Sequence, residues 1–200
     1  MALVKYNNNS LSSVTSAAGF PAGAMTLIKT LTASSSSTLS FVHGSSDVVL
    51  DSTYPIYLFK FINIHPSGGG SEFQVNFSAD TGSNYNVTKT TTVHRAYHDE
   101  NDTTTALAYN GGRDLAQSTA AQPIMPTTGN DNDMCASGFL HLFDPSNATF
   151  VKHFTCLTNV YEPDADFTVQ YIIAGYGNTT SAVDAIRFQM DTGNIDAGII

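Results

Sequence analysis

The densest group of ionisable side chains in the chain is His94, Arg95, His98, Asp99, Glu100 and Asp102. Those residue types are what a hydrolase uses, with His98 as general base and Asp99 or Glu100 orienting its ring. His94 and His98 also stand four apart, the spacing that puts two imidazoles on one helix face for a zinc ion. The residues around them are Thr-rich and predict a strand, not a helix. In a strand, residues four apart share a face but lie about 13 Å from each other, too far to chelate one ion. The cluster is therefore expected to be a strand end running into a solvated acidic loop.

The other candidate groups are sparser. Gly129-Asn130-Asp131-Asn132-Asp133 offers oxygen ligands of the kind Ca²⁺ takes, but the Gly and distal Glu of an EF-hand loop are absent at their places. Its expected state is an exposed polar turn. His65, His141 and His153 sit in or at the ends of predicted strands, where structural hydrogen bonding is their ordinary role. Cys135 and Cys156, 21 residues apart, form no CxxC and have no His at zinc spacing. They are expected to be small buried hydrophobes, pairing across neighbouring strands being the alternative. There is no Gly-x-Ser-x-Gly elbow, no Gly-rich phosphate loop with Lys and no dinucleotide fingerprint. The reading is no enzyme, no catalytic residue, no metal and no cofactor. The six Asn-x-Ser/Thr triplets, starting at Asn8, Asn76, Asn86, Asn101, Asn147 and Asn178, arise by chance in a chain so rich in these residues.

The elements that position these residues read as strands. Predicted strands cover residues 24–31, 38–42, 47–50, 55–65, 72–78, 86–97, 104–109, 136–143, 149–160, 167–176, 183–190 and 195–200. In the 55–65 run, Ile56, Leu58, Ile62 and Ile64 fall on one face and Tyr57, Phe59 and Phe61 on the other. Apolar residues on both faces predict a central strand covered on both sides. Phe73, Val75 and Phe77 alternate with polar residues and predict a half-buried strand. Residues 114–117 are expected to form one helical turn, and 123–133 an exposed loop. About ten short strands with no amphipathic helix predict an all-β fold, a single β-sandwich of jelly-roll type. Residues 1–23, polar and ending in Gly19, Pro21 and Gly23, are expected to be an extended N-terminal arm, leaving 24–200 as the sandwich domain. The apolar end Ile199-Ile200 suggests that the last strand continues or pairs with a neighbour.

Charge narrows the partners. Only 12% of residues are charged, and 8 basic against 17 acidic residues give a net charge of −9. The scattered Lys5, Lys29, Lys60, Lys89, Arg95, Arg113, Lys152 and Arg187 make no basic stripe, so nucleic acid is excluded as a partner. No run reaches the roughly 20 apolar residues of a membrane span, and the N-terminus lacks the pattern of a secretory signal. A chain made in a cytoplasm and joining an assembly there is expected. An uncharged Ser/Thr/Asn surface suits packing against protein copies or sugars. Tyr85, Tyr97, Tyr109 and Tyr176, near predicted strand ends and loops, are candidate interaction residues with Tyr6 and Asn7 of the arm.

Several stretches carry a resemblance: residues 1–10, 54–66, 82–90, 114–119, 150–154, 174–182 and 193–198. Together they make the chain similar, over nearly its whole length, to a family of short virion structural proteins of marine tailed phages, from phages of cyanobacteria and other ocean bacteria. Members commonly continue a few residues beyond the point where this chain stops. The resemblance implies a virion location and brings no catalytic residue with it. Two roles follow as expectations. One is a capsid decoration or outer-shell protein, whose arm ties neighbouring copies together into a homotrimer on the major capsid or tail proteins. The other is a tail-fibre or receptor-binding component recognising host surface glycans.

Overall fold

The structure, a computed structural model, describes residues 25–163 and 166–200. The expected arm over 1–23, with Tyr6 and Asn7, lies outside them. The described residues form eleven strands: β1 (Thr38–Val42), β2 (Ile56–Pro66), β3 (Ser71–Ser78), β4 (Lys89–Asp99), β5 (Thr105–Tyr109), β6 (Gln122–Thr128), β7 (Ala136–Phe143), β8 (Lys152–Glu162), β9 (Phe167–Gly177), β10 (Ala185–Met190) and β11 (Ile195–Ile199). They build two sheets, of order β1-β10-β3-β6 and β11-β2-β7-β8-β9-β4-β5. Every named pairing is antiparallel. Setting aside the β8–β9 hairpin and β11, the orders reduce to β1-β10-β3-β6 facing β2-β7-β4-β5. That is the double Greek key of a jelly roll. The β8–β9 hairpin, paired from Lys152↔Gly177 to Glu162↔Phe167, widens the second sheet.

The core follows from period-2 alternation. Phe73, Val75 and Phe77 of β3 are fully buried, and so is Phe188 of β10. Phe188 stacks on Phe73 (5.7 Å between centroids) and meets Phe59 and Phe61 of β2 at 5.6 and 5.2 Å. Each such ring contributes about 1.5–3 kcal/mol on burial.

Strand β2 departs from the expected pattern. Tyr57, Phe59 and Phe61 point inward, but so does Ile64, while Ile56 and Ile62 are half exposed. A bulge explains it: pairing with β7 shifts between Phe61 and Ile64, and Asn63 takes a positive φ of 50°. The extra residue reverses the alternation and brings Ile64 into the core. The strand is thus covered on one side only.

Four other expectations are corrected. Residues 25–31 form no strand; instead Leu31 and Ala33 bond to Ile200 and Gly198, so the chain end pairs within the molecule. Residues 47–50 are not a strand, because Ser46 and Asp47 adopt positive φ in a turn. Residues 114–117 are not helical; Leu115 and Gln117 donate their N–H groups to the hydroxyls of Thr91 and Thr90 along β4. Finally, residues 123–128, expected within an exposed loop, belong to the almost entirely buried strand β6. Its two prolines are tolerated because β6 is an edge strand whose only ladder partner is β3.

Two lysines are wholly buried on either side of Gly177, which pairs with Lys89 in β4 and with Lys152 in β8. Lys89 Nζ donates to Asn76 Oδ1 (2.6 Å) and the Val87 carbonyl (2.8 Å). Asn76 in turn donates to the carbonyls of Tyr85 and Thr119, tying two long loops to the sandwich. Lys152 Nζ donates to the Phe150 carbonyl at 2.7 Å. Burial pulls the Lys89 pKa down to about 8. Between that value and the ordinary 10.5 the unfolded chain holds the proton and the folded chain does not, so this group makes stability rise with pH. Denaturation at pH 8 and pH 10 should therefore show wild type gaining stability relative to Lys89→Met across that interval.

At Gly138, β7 passes so close to β8 that a Cβ would lie 2.3 Å from the Leu157 carbonyl oxygen and 2.7 Å from Thr158 Cα. Neither atom can yield without moving the sheet. Gly138→Ala is expected to cost about 1–3 kcal/mol, read by calorimetry as a melting temperature lower by several degrees.

Candidate interaction surface

The ionisable cluster lies at the β4–β5 hairpin, and its members diverge. His94 and His98 point outward from the seven-stranded sheet, and Arg95 points to the inner side with its guanidinium over the Tyr97 ring, 4.9 Å from the centroid. Asp99 closes the turn: its Oδ1 accepts from the N–H groups of Thr103 (2.9 Å) and Thr104 (2.8 Å), and its other oxygen accepts from the Thr103 hydroxyl. Those donors, the Thr103 hydroxyl first, hold its pKa below the ordinary carboxylate value. His98 Nε2 lies 3.1 Å from Asp102 Oδ1, not against Asp99, and that pair is exposed. Such a pair contributes little to stability.

The remaining sequence candidates stand apart from one another. His65 Nε2 is 3.2 Å from the Asp131 carbonyl at the 130–133 turn. Among the described residues no group of three or more His, Cys, Asp or Glu is placed to hold a metal ion. Cys135 and Cys156 are both free; Cys156 is buried, which pushes its thiol pKa up, and Cys135 is half-buried. The ring of Tyr85 lies under the Arg187 guanidinium (4.2 Å) beside the four-stranded sheet. Tyr97 packs edge-on against Phe167 at 5.1 Å. Of the four candidate tyrosines described, Tyr109 and Tyr176 share the outer side of the seven-stranded sheet. Tyr109 is bonded through its hydroxyl to the Asp114 carboxylate and stands 5.3 Å from the His94 ring, while Tyr176 lies 6.1 Å from His153.

That outer side is the most distinctive surface of the protein. Outward positions are 137, 139, 141 and 143 on β7, the odd residues 153–161 on β8, the even residues 168–176 on β9 and the even residues 90–98 on β4. They carry four histidines, His94, His98, His141 and His153, and no carboxylate. One cross-strand row reads Lys60, Phe139, Leu157, Ile172, His94, Tyr109. Phe139, Ile172 and Tyr109 are 36%, 44% and 52% exposed. His141 lies between Phe139 and Phe143, its ring 5.3 and 6.1 Å from theirs. The signal was present in the sequence as strands whose second face also carries aromatic and β-branched residues. It needed the registers to align those residues into one plane. A second apolar feature is a groove of about 560 Å³ lined by Leu27, Ile28, Phe41, Leu50, Tyr54 and Ile56.

Comparison with protein-family models, curated proteins and solved structures gives no match.

The turn at Asp99 carries a pH signature. A carboxyl with a depressed folded-state pKa stabilises above the unfolded value near 3.9 and loses that contribution as pH falls through the lower folded value. In thermal melts the advantage of wild type over Asp99→Asn is expected to be constant from pH 5 to 7 and to shrink below pH 4.

Proposed function

We propose that this chain is a structural protein of a phage virion, a decoration or outer-shell component that assembles as a homo-oligomer and contacts the major shell or tail proteins. The observation that carries the proposal is that the outward positions of β7, β8, β9 and β4 carry no carboxylate of their own in a chain of net charge −9. Copies of so acidic a protein repel one another. Taking an unpaired carboxylate out of water costs several kcal/mol, whereas Thr, Ala and aromatic rings lose far less. The sheet presents this second class of side chain where a flat partner would sit. The similarity of residues 54–66, 82–90 and 174–182 to marine-phage virion proteins supports the virion setting. Tyr85 and Tyr97 lie away from the side shared by Tyr109 and Tyr176, so the tyrosines give less support to a glycan-reading tail component.

The test is peptide quantification of the chain in purified virions of the phage that encodes it, for wild type and for Ile172→Glu. Ile172 is exposed, so the substitution is expected to leave the melting temperature unchanged while setting a carboxylate in the middle of the neutral surface. The proposal expects wild type at a copy number comparable to that of the major shell protein, and Ile172→Glu depleted from particles. Absence of the wild-type chain from virions overturns it. So does full incorporation of the variant, which would remove the sheet surface from the argument.

A further inference from the structure

Strand β5 ends the seven-stranded sheet, and among the described residues nothing pairs with its outer edge. Its five residues, Thr105-Ala106-Leu107-Ala108-Tyr109, include no charge and no proline, and they pair with β4 without a register shift. Natural sheets blunt such edges with charges, prolines, bulges or a covering segment, because a bare edge is a template for another strand. Two other edges of this molecule are treated in those ways. β6 carries Pro123 and Pro126 and shifts register against β3. β11 is covered by residues 31–36, whose N–H groups at Leu31, Ala33, Ser35 and Ser36 bond to its carbonyls or to those of its flanking residues. At a third edge, β1 turns Leu39 and Phe41 into the core, whereas Leu107 of β5 is 76% exposed.

The hydrogen-bond phase shows which groups are free. Asn110 N–H donates to the Val93 carbonyl and Asp99 N–H to the Thr104 carbonyl, both in the register His94↔Tyr109. Odd residues of β4 therefore bond toward β5, and even residues of β5 bond back. The N–H and C=O groups of Thr105, Leu107 and Tyr109 point away from β4, along the open edge.

We propose that this edge pairs antiparallel with β5 of a second copy, about a two-fold axis at Leu107. Three features select a second copy as the occupant. The segment is nearly symmetric about Leu107: the axis sets Leu107 against Leu107, Ala106 against Ala108 and Thr105 against Tyr109, with no side chain facing a charge. The pairing is isologous and closes after two copies. It also joins two seven-stranded sheets edge to edge, so their outer sides become one, and two chains of net charge −9 meet at strands that carry none of it. Leu107 loses its exposure against Leu107 of the second copy, and Tyr109 against Thr105 of that copy. The inference holds whether or not the protein resides in a virion.

The test is sedimentation equilibrium of the full chain, with three substitutions at one position. Leu107→Pro deletes an N–H aimed at the open edge, not one bonded to β4, so it blocks the partner and spares the hairpin. Leu107→Lys keeps the N–H and adds a charge, which guards against Leu107→Pro failing to fold. Wild type is expected at twice the 21.3 kDa chain mass. Both variants are expected to weaken dimerisation by about tenfold or more, equivalent to about 1.4 kcal/mol, with unchanged circular dichroism. Leu107→Cys, in a Cys135→Ser background, is expected to form a disulfide-linked dimer on mild oxidation. Hydrogen-bonded antiparallel partners stand about 5.5 Å apart at Cα, within disulfide reach. A monomeric wild type, or any oligomer that neither Leu107→Pro nor Leu107→Lys weakens, overturns the proposal.

Discussion

The contact on which the rest of the sandwich depends is the seating of Phe188 among four other phenylalanines. Phe188 sits on β10, between β1 and β3, and touches Phe41 and Phe73 in its own sheet and Phe59 and Phe61 in the other. Stacked and edge-to-face ring pairs add about 0.5–1.5 kcal/mol each beyond burial. They also fix the separation and offset of the sheets, because a ring slot accepts few alternatives. Everything outward of that slot follows. β2 must bulge at Asn63 so that Ile64 joins the core after Phe61, and Gly138 must yield its side chain where β7 and β8 approach.

Sheet width is the second constraint. Four strands cannot cover both sides of seven, and among the described residues no other element covers the second side of the larger sheet. The chain answers by placing its carboxylates elsewhere. Asp51, Asp80 and Asp99 sit in turns, where N–H and hydroxyl donors from Thr53, Asn84, Ser78 and Thr103 satisfy them and lower their pKa values. Turn carboxylates of this kind stabilise local geometry while leaving the broad strands uncharged. The two wholly buried charges, Lys89 and Lys152, are handled differently: their ammonium groups are capped by carbonyl oxygens and, for Lys89, by Asn76 Oδ1. Those groups fasten the loops at one end of the sandwich.

Much of this was legible in the residues, and the failures share a cause. The β3 alternation Phe73, Val75, Phe77 read directly, because a half-buried antiparallel strand writes its face into the sequence. The 55–65 run was placed correctly as a strand but phased wrongly after Phe61, since a bulge leaves no mark except Asn63, a residue that tolerates positive φ. β6 was missed because Pro123 and Pro126 argue against a strand, and only the edge position in the assembled sheet overrides them. The ionisable cluster at 94–102 looked chemical in one dimension, yet strand alternation sends Arg95 and His94 to opposite sides. The neutral outer side could not be seen from any one strand. Phe139, Leu157, Ile172 and His94 are far apart in the chain and become neighbours only through three registers.

Neutrality of a surface is not adhesion; what it contributes is the avoidance of two costs. A chain of net charge −9 that met its copies through acidic loops would pay repulsion and desolvation together. Meeting through the outer sheet or the β5 edge avoids both, and it replaces water on Phe139, Ile172, Leu107 and Tyr109 with apolar contact, at about 25 cal/mol per Å² removed. An edge of three free N–H and three free C=O groups adds direction to that non-directional gain, since backbone pairing accepts only one phase. In the proposed assembly the labour divides within one sheet: its inner side makes the fold, its outer side is the surface a neighbour would meet, and its open edge would set how that neighbour is aligned.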